Sequence, residues 1–187
     1  DVVWQQNYYD GYQSSTNIWG LISGQVQQLT YLSNSYAYRP SINDKQEVVW
    51  SQQNGSISQI YSNKRGWLTS DAADHSEPGI NNAGDVVWSQ NGNIYGLISG
   101  TVSQLTTSGS SGSPSISNSG EVWWSSWTGG STRLCSSTRG QITFDGCPGG
   151  YDPRLPSLNA CGAVTFTDWG GTPQVCRLGS AAPCMAD

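Results

Sequence analysis

Apolar residues in this chain come in short alternating bursts, never at helical spacing. Val2-Val3-Trp4, Val48-Val49-Trp50 and Val86-Val87-Trp88 are followed by the related runs Val122-Trp123-Trp124 and Val164-Thr165-Phe166. β-branched and aromatic residues at period two predict short, half-buried strands. Within each burst the outer two residues face one way and the middle one the other. The closing aromatics at 4, 50, 88, 124 and 166 are therefore the candidates for packing between neighbouring repeats.

The bursts sit inside a longer repeat. Pro40-Ser41-Ile42-Asn43, Pro78-Gly79-Ile80-Asn81, Pro114-Ser115-Ile116-Ser117 and Pro156-Ser157-Leu158-Asn159 each lead into one. Those leads predict a first strand, A, at 41–43, 79–81, 115–117 and 157–159, with the proline at the strand start, where its missing N–H costs no ladder bond. The burst is strand B. Strand C follows at Ile18-Trp19, Ile60-Tyr61, Ile94-Tyr95, Leu134-Cys135 and Val175-Cys176. Strand D follows at Leu29-Thr30, Leu68-Thr69, Leu105-Thr106 and Ile142-Thr143. Gly84, Gly120 and Gly162 close the A–B turns, and Gly24, Gly66, Gly100 and Gly140 mark the C–D turns.

Four short antiparallel strands per repeat of ~40 residues predict a β-propeller, with a solenoid as the weaker alternative. The prediction is an all-β, five-bladed β-propeller in one domain, with repeats at about 1–39, 40–77, 78–113, 114–155 and 156–187. The chain opens directly on strand B, so the first blade is expected to lack its innermost strand. That strand would come from a longer natural chain or from a neighbouring molecule, the latter a route to self-assembly.

Composition narrows the function. Only 11% of residues are charged and the net charge is −5, with no Lys/Arg cluster. Binding to nucleic acid needs clustered cations, so it is disfavoured. No apolar run is long enough to span a membrane, and no signal peptide is recognised. Nine Trp and nine Tyr argue against disorder. Low charge, many small polar residues and five Cys, all after residue 134, favour an oxidising, extracytoplasmic setting. Cys176 and Cys184 flank a short hairpin and Cys135 and Cys161 join repeats four and five as the candidate disulfides, which leaves Cys147 odd. Asn54-Gly55-Ser56 has the form of a glycosylation sequon.

The repeat resembles the TolB-like propeller repeat, a relative of the WD-type repeats. The resemblance rests on the Pro-x-Ile-Asn-x-x-Gly-x-Val-Val-Trp lead, then Ile-Tyr, then Gln-Leu-Thr. It is clearest from Pro78 to Trp88, Ile94-Tyr95 and Gln104-Leu105-Thr106. It implies that strand A lines the central axis. It says little about function, because such propellers are binding platforms in many settings and some are enzymes.

In a four-stranded blade the B–C and D–A connections share one face, and here those connections vary while the others do not. Variable loops on a constant scaffold are the expected site of function. Tyr8, Tyr9, Tyr12, Tyr36, Tyr38, Trp127, Tyr151 and Trp169 lie there and are the candidate partner-binding residues, joined by Tyr31. The reading is a non-enzymatic module engaging a protein partner, with a carbohydrate-binding propeller as rival and a glycan-active enzyme a distant third.

The chemistry-bearing residues support no catalytic or metal site and imply no cofactor. Asp71 and Asp74 lack EF-hand spacing, which favours a solvated, turn-capping loop over a calcium site. His75 is the sole histidine, no Gly-x-Ser-x-Gly elbow exists, and a His-based hydrolase is disfavoured. Glycosidase acids would be expected at the inner-strand ends, where the chain has Asn43, Asn81, Ser117 and Asn159, none able to move a proton. The acid that starts strand B at 1, 47, 85 and 121 is too regular for an active site and reads as a turn cap.

Overall fold

The computed structural model describes residues 1–128, 131–142, 154–158, 164–167 and 173–176. All regular structure among them is β-strand. The first sheet contains β1 (Val2–Tyr9), β2 (Ser14–Ile22) and β3 (Gln25–Gln28). The second has β4 (Ala37–Ile42), β5 (Val48–Asn54), β6 (Ile57–Ser62) and β7 (Gly66–Trp67). The third has β8 (His75–Ile80), β9 (Val86–Gln90), β10 (Asn93–Ile98) and β11 (Thr101–Gln104). The fourth has β12 (Ser111–Ile116), β13 (Val122–Thr128), β14 (Ser131–Ser136) and β15 (Gly140–Ile142). The fifth has β16 (Arg154–Leu158), β17 (Val164–Thr167) and β18 (Pro173–Cys176).

Each sheet is an antiparallel meander in chain order. The innermost strands follow one another round an axis: β4 packs on β8, β8 on β12 and β12 on β16, with β1 beside β4. This is the arrangement of a β-propeller. Among the described residues the first sheet has three strands, with β1 on its axial side.

The period-two pattern decides how sheets stack. Val86 and Trp88 pack with Ile80, Tyr95 and Leu97 against Val49 and Ile60 of the sheet before. Val87, from the middle of the same burst, packs with Ile94 against Ile116 and Val122 of the sheet after. Ile18 and Ile22 likewise meet Val48 and Trp50. One strand thus serves two interfaces, and the core is a series of seams between sheets. Trp50 and Trp88 take the inter-repeat positions foreseen for them, at 2% and 1% exposure.

The Leu-Thr pair that ends each repeat also has a physical role. Thr30, Thr69 and Thr106 accept, at Oγ1, the main-chain N–H of Ile18, Ile60 and Ile94 at 2.9 Å. The hydroxyl takes over the ladder where the fourth strand runs out, and so satisfies a buried donor.

The acids that start strand B are turn caps. Asp1 and Asp85 accept the N–H of Ser23 (2.9 Å) and Ser99 (2.8 Å) in the C–D turns. Glu47 instead takes the Ser62 hydroxyl and the Arg65 guanidinium, both at 2.6 Å. Glu121 repeats that pattern with Ser136, Thr138 and Arg139. Burial pushes the Glu121 carboxyl up, but the two hydroxyls and Arg139 outweigh it and hold the group below its ordinary value of 4.5. A depressed carboxyl stabilises the fold above its unfolded-state value, and that contribution is lost as pH falls through the folded-state value. Glu121→Gln is therefore expected to flatten the loss of thermal stability between about pH 5 and pH 3, as read by Tm against pH. An unchanged slope would show that the cap contributes nothing.

Two sequence expectations are corrected. Pro40, Pro78 and Pro114 do not start the inner strands; they lie within β4, β8 and β12. Each sits at a register shift, between Tyr38 and Ser41, Ser76 and Gly79, and Gly112 and Ser115. A bulge interrupts the ladder, so a residue without an N–H is tolerated there. Secondly, Cys135 carries a free, half-buried thiol, so the Cys135–Cys161 bridge is not made. Burial raises its pKa, with Arg133 opposing weakly. The side chains of Cys147, Cys161, Cys176 and Cys184 lie outside the described residues.

Candidate functional site

The bulges build the site. The residue before each inner-strand proline has a left-handed backbone: φ is 54° at Arg39, 57° at Glu77 and 52° at Ser113. Non-glycine residues rarely adopt this conformation, which costs on the order of 1–3 kcal/mol each. Its recurrence in three consecutive sheets makes it a feature of the repeat. The bulge presents a different side chain to the axis in each sheet, a cation, an anion and a hydroxyl.

Arg39 and Glu77 form an ion pair between neighbouring sheets. The Glu77 carboxylate is held from the far side as well, by the Ser113 N–H at 2.6 Å and the Ser89 hydroxyl at 3.1 Å. The Arg39 N–H donates to Gln5 Oε1 at 2.9 Å. Four sheets thus meet through one charged pair.

Three clefts open around it. One of about 270 Å³ runs along the axis past Pro40, Pro78, Pro114 and Pro156. A second, of about 480 Å³, is bordered by Gln5, Tyr36, Tyr38 and Ser58. A third, of about 490 Å³, lies beside Ser111, Trp127 and Thr132. Arg39 lines all three, and Glu77 lines the first and third. The walls mix prolines and aromatic rings with main-chain and hydroxyl groups, a lining suited to an extended ligand.

Of the aromatic residues singled out from the sequence, Tyr36, Tyr38 and Trp127 line these clefts. The Tyr38 hydroxyl bonds that of Ser58. Tyr8, Tyr9 and Tyr12 are exposed, at 58%, 73% and 97%, but border none of the three. The Tyr9 hydroxyl donates to the Gly11 carbonyl, so that ring folds over its own loop. Tyr151 and Trp169 lie outside the described residues.

The acidic loop is tied down internally. Asp71 accepts the Ala73 N–H at 2.8 Å and pairs with His75 Nε2 at 2.7 Å; Asp74 accepts the Ser58 N–H at 2.7 Å. The His75 bond, then the Ala73 bond, hold the Asp71 carboxyl below its usual range. His75 is 1% exposed beneath this loop, its partner being Asp71, four residues earlier, and not the adjacent Asp74. Among the described residues, no group of three or more His, Cys, Asp or Glu is placed to hold a metal ion.

Asn43 and Asn81 do architectural work at the opposite ends of the inner strands. Each caps its own A–B turn through Oδ1. Each also donates through Nδ2 to the next sheet, Asn43 to the Asn81 carbonyl at 2.9 Å and Asn81 to the Ser117 carbonyl at 3.2 Å. The axial charges therefore come from the other ends of these strands. The sequence signal was the residue preceding each proline, which varies as Arg39, Glu77 and Ser113 inside a constant frame.

The fold and its axial clefts define the class as a β-propeller. Its repeat is TolB-like: the crystal structure of TolB from Acinetobacter baumannii superposes with a TM-score of 0.58 at 14% identity, over 91% of this chain and 53% of that one. A puromycin-hydrolyzing peptidase from Mycobacterium tuberculosis matches at 0.56 and 12% identity, over 97% of this chain and 38% of that one. Virginiamycin B lyase from Staphylococcus aureus matches at 0.50 and 12% identity, over 88% and 64%. The chain thus spans about half of TolB's length and under two thirds of the other two. At these identities the likeness is one of fold. No protein-family model and no curated protein sequence matches the chain. Among the described residues, no helix is long and apolar enough to cross a membrane.

Proposed function

We propose that this chain is a non-enzymatic, extracytoplasmic binding or assembly module that engages a protein partner through the face where β4, β8 and β12 begin. Arg39 carries the reading. The residue lines all three clefts, and among the described residues its side chain is bound only to Glu77. A guanidinium has five N–H donors in a planar fork, so the Glu77 bond leaves most of that capacity for a ligand. Tyr36, Tyr38 and Trp127 stand around it, and Arg, Tyr and Trp are the residue types that dominate interface energies. The partner segment that fits is extended, with a carboxylate for Arg39 and an apolar side chain for the Trp127 cleft.

Acid–base catalysis is less well supported. Glu77 is committed to Arg39, the Ser113 N–H and the Ser89 hydroxyl, and His75 is buried. The low charge of the chain supports the extracytoplasmic setting. The rival reading, a carbohydrate-binding propeller, draws on the exposed Tyr8, Tyr9 and Tyr12.

The test is to select peptides from a random displayed library on the wild-type chain and to screen a glycan array in parallel. Enriched acidic peptides whose binding falls about 30-fold or more on Arg39→Ala or Trp127→Ala support the protein-partner reading. Glycan binding abolished by Tyr8→Ala, Tyr9→Ala or Trp127→Ala, with no peptide enrichment, overturns it.

A further inference from the structure

Three buried side-chain atoms, Ser51 Oγ, Gln53 Oε1 and His75 Nδ1, have no hydrogen-bond partner among the described residues. They lie at one end of one seam. Val49 and Ile60 face the third sheet, in a cluster with Val86 and Trp88. Alternation along β5 puts Ser51 and Gln53 on that same face, opposite Ile60 and Ser58 of β6. His75 enters the seam from the other wall. It is the first residue of β8, and its ring lies 6.0 Å from that of Trp88. The loop before it is pinned to the same end of β6, where Asp74 accepts the Ser58 N–H at 2.7 Å. Ser51 is 0% exposed and His75 1%.

The matching positions of the neighbouring sheets carry no such set. Counting from the tryptophan that ends each burst, Ser51 matches Gln5 and Ser89, and Gln53 matches Asn7. Gln5 Oε1 accepts the Arg39 N–H, and Asn7 Oδ1 accepts the Thr16 hydroxyl. Ser89 donates to Glu77. The place of His75 is taken by the apolar Ala37 in β4 and by Ser111 in β12, whose hydroxyl bonds that of Ser108. Ser58 stands where Thr16 stands in the first sheet, but its hydroxyl is bonded to Tyr38 and not to Gln53.

Protons decide what the three atoms need. His75 Nε2 faces the Asp71 carboxylate, which only accepts, so in the neutral ring Nε2 carries the proton and Nδ1 is an acceptor. The Gln53 amide nitrogen donates to the Gly55 carbonyl, so its buried oxygen is a second acceptor. Ser51 supplies one O–H. One hydroxyl proton cannot serve two acceptors, so a further donor is required.

We infer that the seam between the second and third sheets is a binding site for a single ordered water, which donates to His75 Nδ1 and Gln53 Oε1 and accepts from the Ser51 hydroxyl. Buried waters make about three hydrogen bonds to groups that otherwise lack partners, and this set offers that number. A cation fits less well, because it would be buried with no carboxylate among its ligands. Gln53 and Ser58 also line the second cleft, so the water lies behind that wall and joins it to the Asp71 loop. The site does not rest on the partner reading of Arg39.

The test is NMR of the isotope-labelled chain at about pH 8, where an ordinary imidazole is neutral. Long-range proton–nitrogen correlation reads the tautomer of His75, the sole histidine. Water-selective NOESY and ROESY read contact between water and the His75 ring proton beside Nδ1. The expected result is a proton on Nε2 and a water cross-peak with the sign of a molecule that tumbles with the protein. The cross-peak is expected to persist in Ser51→Ala, where both acceptors remain, and to be lost in Gln53→Leu, which replaces an acceptor by apolar bulk. Four results overturn the proposal. The first is a proton on Nδ1, which would donate to Gln53 or Ser51 unaided. The second is no cross-peak in the wild-type chain. The third is a cross-peak that vanishes in Ser51→Ala, which marks it as the Ser51 hydroxyl proton exchanging with solvent. The fourth is a cross-peak unchanged in Gln53→Leu.

Discussion

Trp88→Ala is expected to destabilise the chain by about 3–5 kcal/mol, the range for truncating a fully buried Trp. The ring is 1% exposed and belongs to the seam formed by Val49, Ile60, Ile80 and Val86. It also stacks on Tyr95 at 6.4 Å and lies 6.0 Å from His75. Its loss leaves a void bounded by two separate sheets, which relax only partly because each is pinned by its own ladder. Trp4→Ala is the internal control. It removes the same side chain from the same place in the repeat, but there the ring is only half-buried, and its cost is expected to be smaller than that at Trp88. Chemical unfolding of both variants checks this, and equal costs would refute the seam model of the core.

The second large effect is expected at Asn81. Its Oδ1 accepts the N–H groups of Ala83 (3.0 Å) and Asp85 (2.9 Å), and its Nδ2 reaches Asp85 Oδ2 and the Ser117 carbonyl, both at 3.2 Å. Asn81→Ala strands main-chain donors in a site that is 3% exposed. At about 1–3 kcal/mol for each buried group left unsatisfied, a total of roughly 2–4 kcal/mol follows. Asn81→Ser is expected to recover part of this, because Ser117 holds the same position in the next sheet. There the hydroxyl accepts the Glu121 N–H at 3.0 Å, which caps the turn without an amide to donate onward. Unfolding midpoints that rank wild type, Ser, then Ala support a divided role of cap and latch. If the Ser and Ala variants match, the cap contributes little.

The repeat was legible because it is written in local chemistry. Val86-Val87-Trp88 alternates at the period of a strand, Gly84 supplies a positive φ of 91°, and Asp85 stands where a turn needs an acceptor. These signals act within a few residues and recur at a fixed interval, so sheet order and the facing of each Val and Trp follow from them. The site was legible only in part. Tyr36, Tyr38 and Trp127 are found at the clefts because variable loops and their aromatics were read together. Arg39, Glu77 and Ser113 escaped notice because a proline lead suggests a strand start, whereas the chain uses it as the centre of a bulge. The partnership of His75 with Asp71 was likewise hidden, since it depends on how the loop turns back over β8.

What the sequence determined by itself is the class of fold, the four-stranded meander and the division of each Val-Val-Trp burst between two seams. Those depend on short-range periodicity and on turn residues with restricted dihedral angles. The tertiary structure alone decided what meets across the axis. Arg39 and Glu77 are 38 residues apart and come within bonding reach only because three bulges with the same left-handed residue stack around one centre. Among the described residues it also leaves Val2 of the first sheet 59% exposed, whereas the equivalent Val86 of the third is buried. Pairing and covering are properties of neighbours in space, and a repeat specifies its own strand far more fully than it specifies what lies beside it.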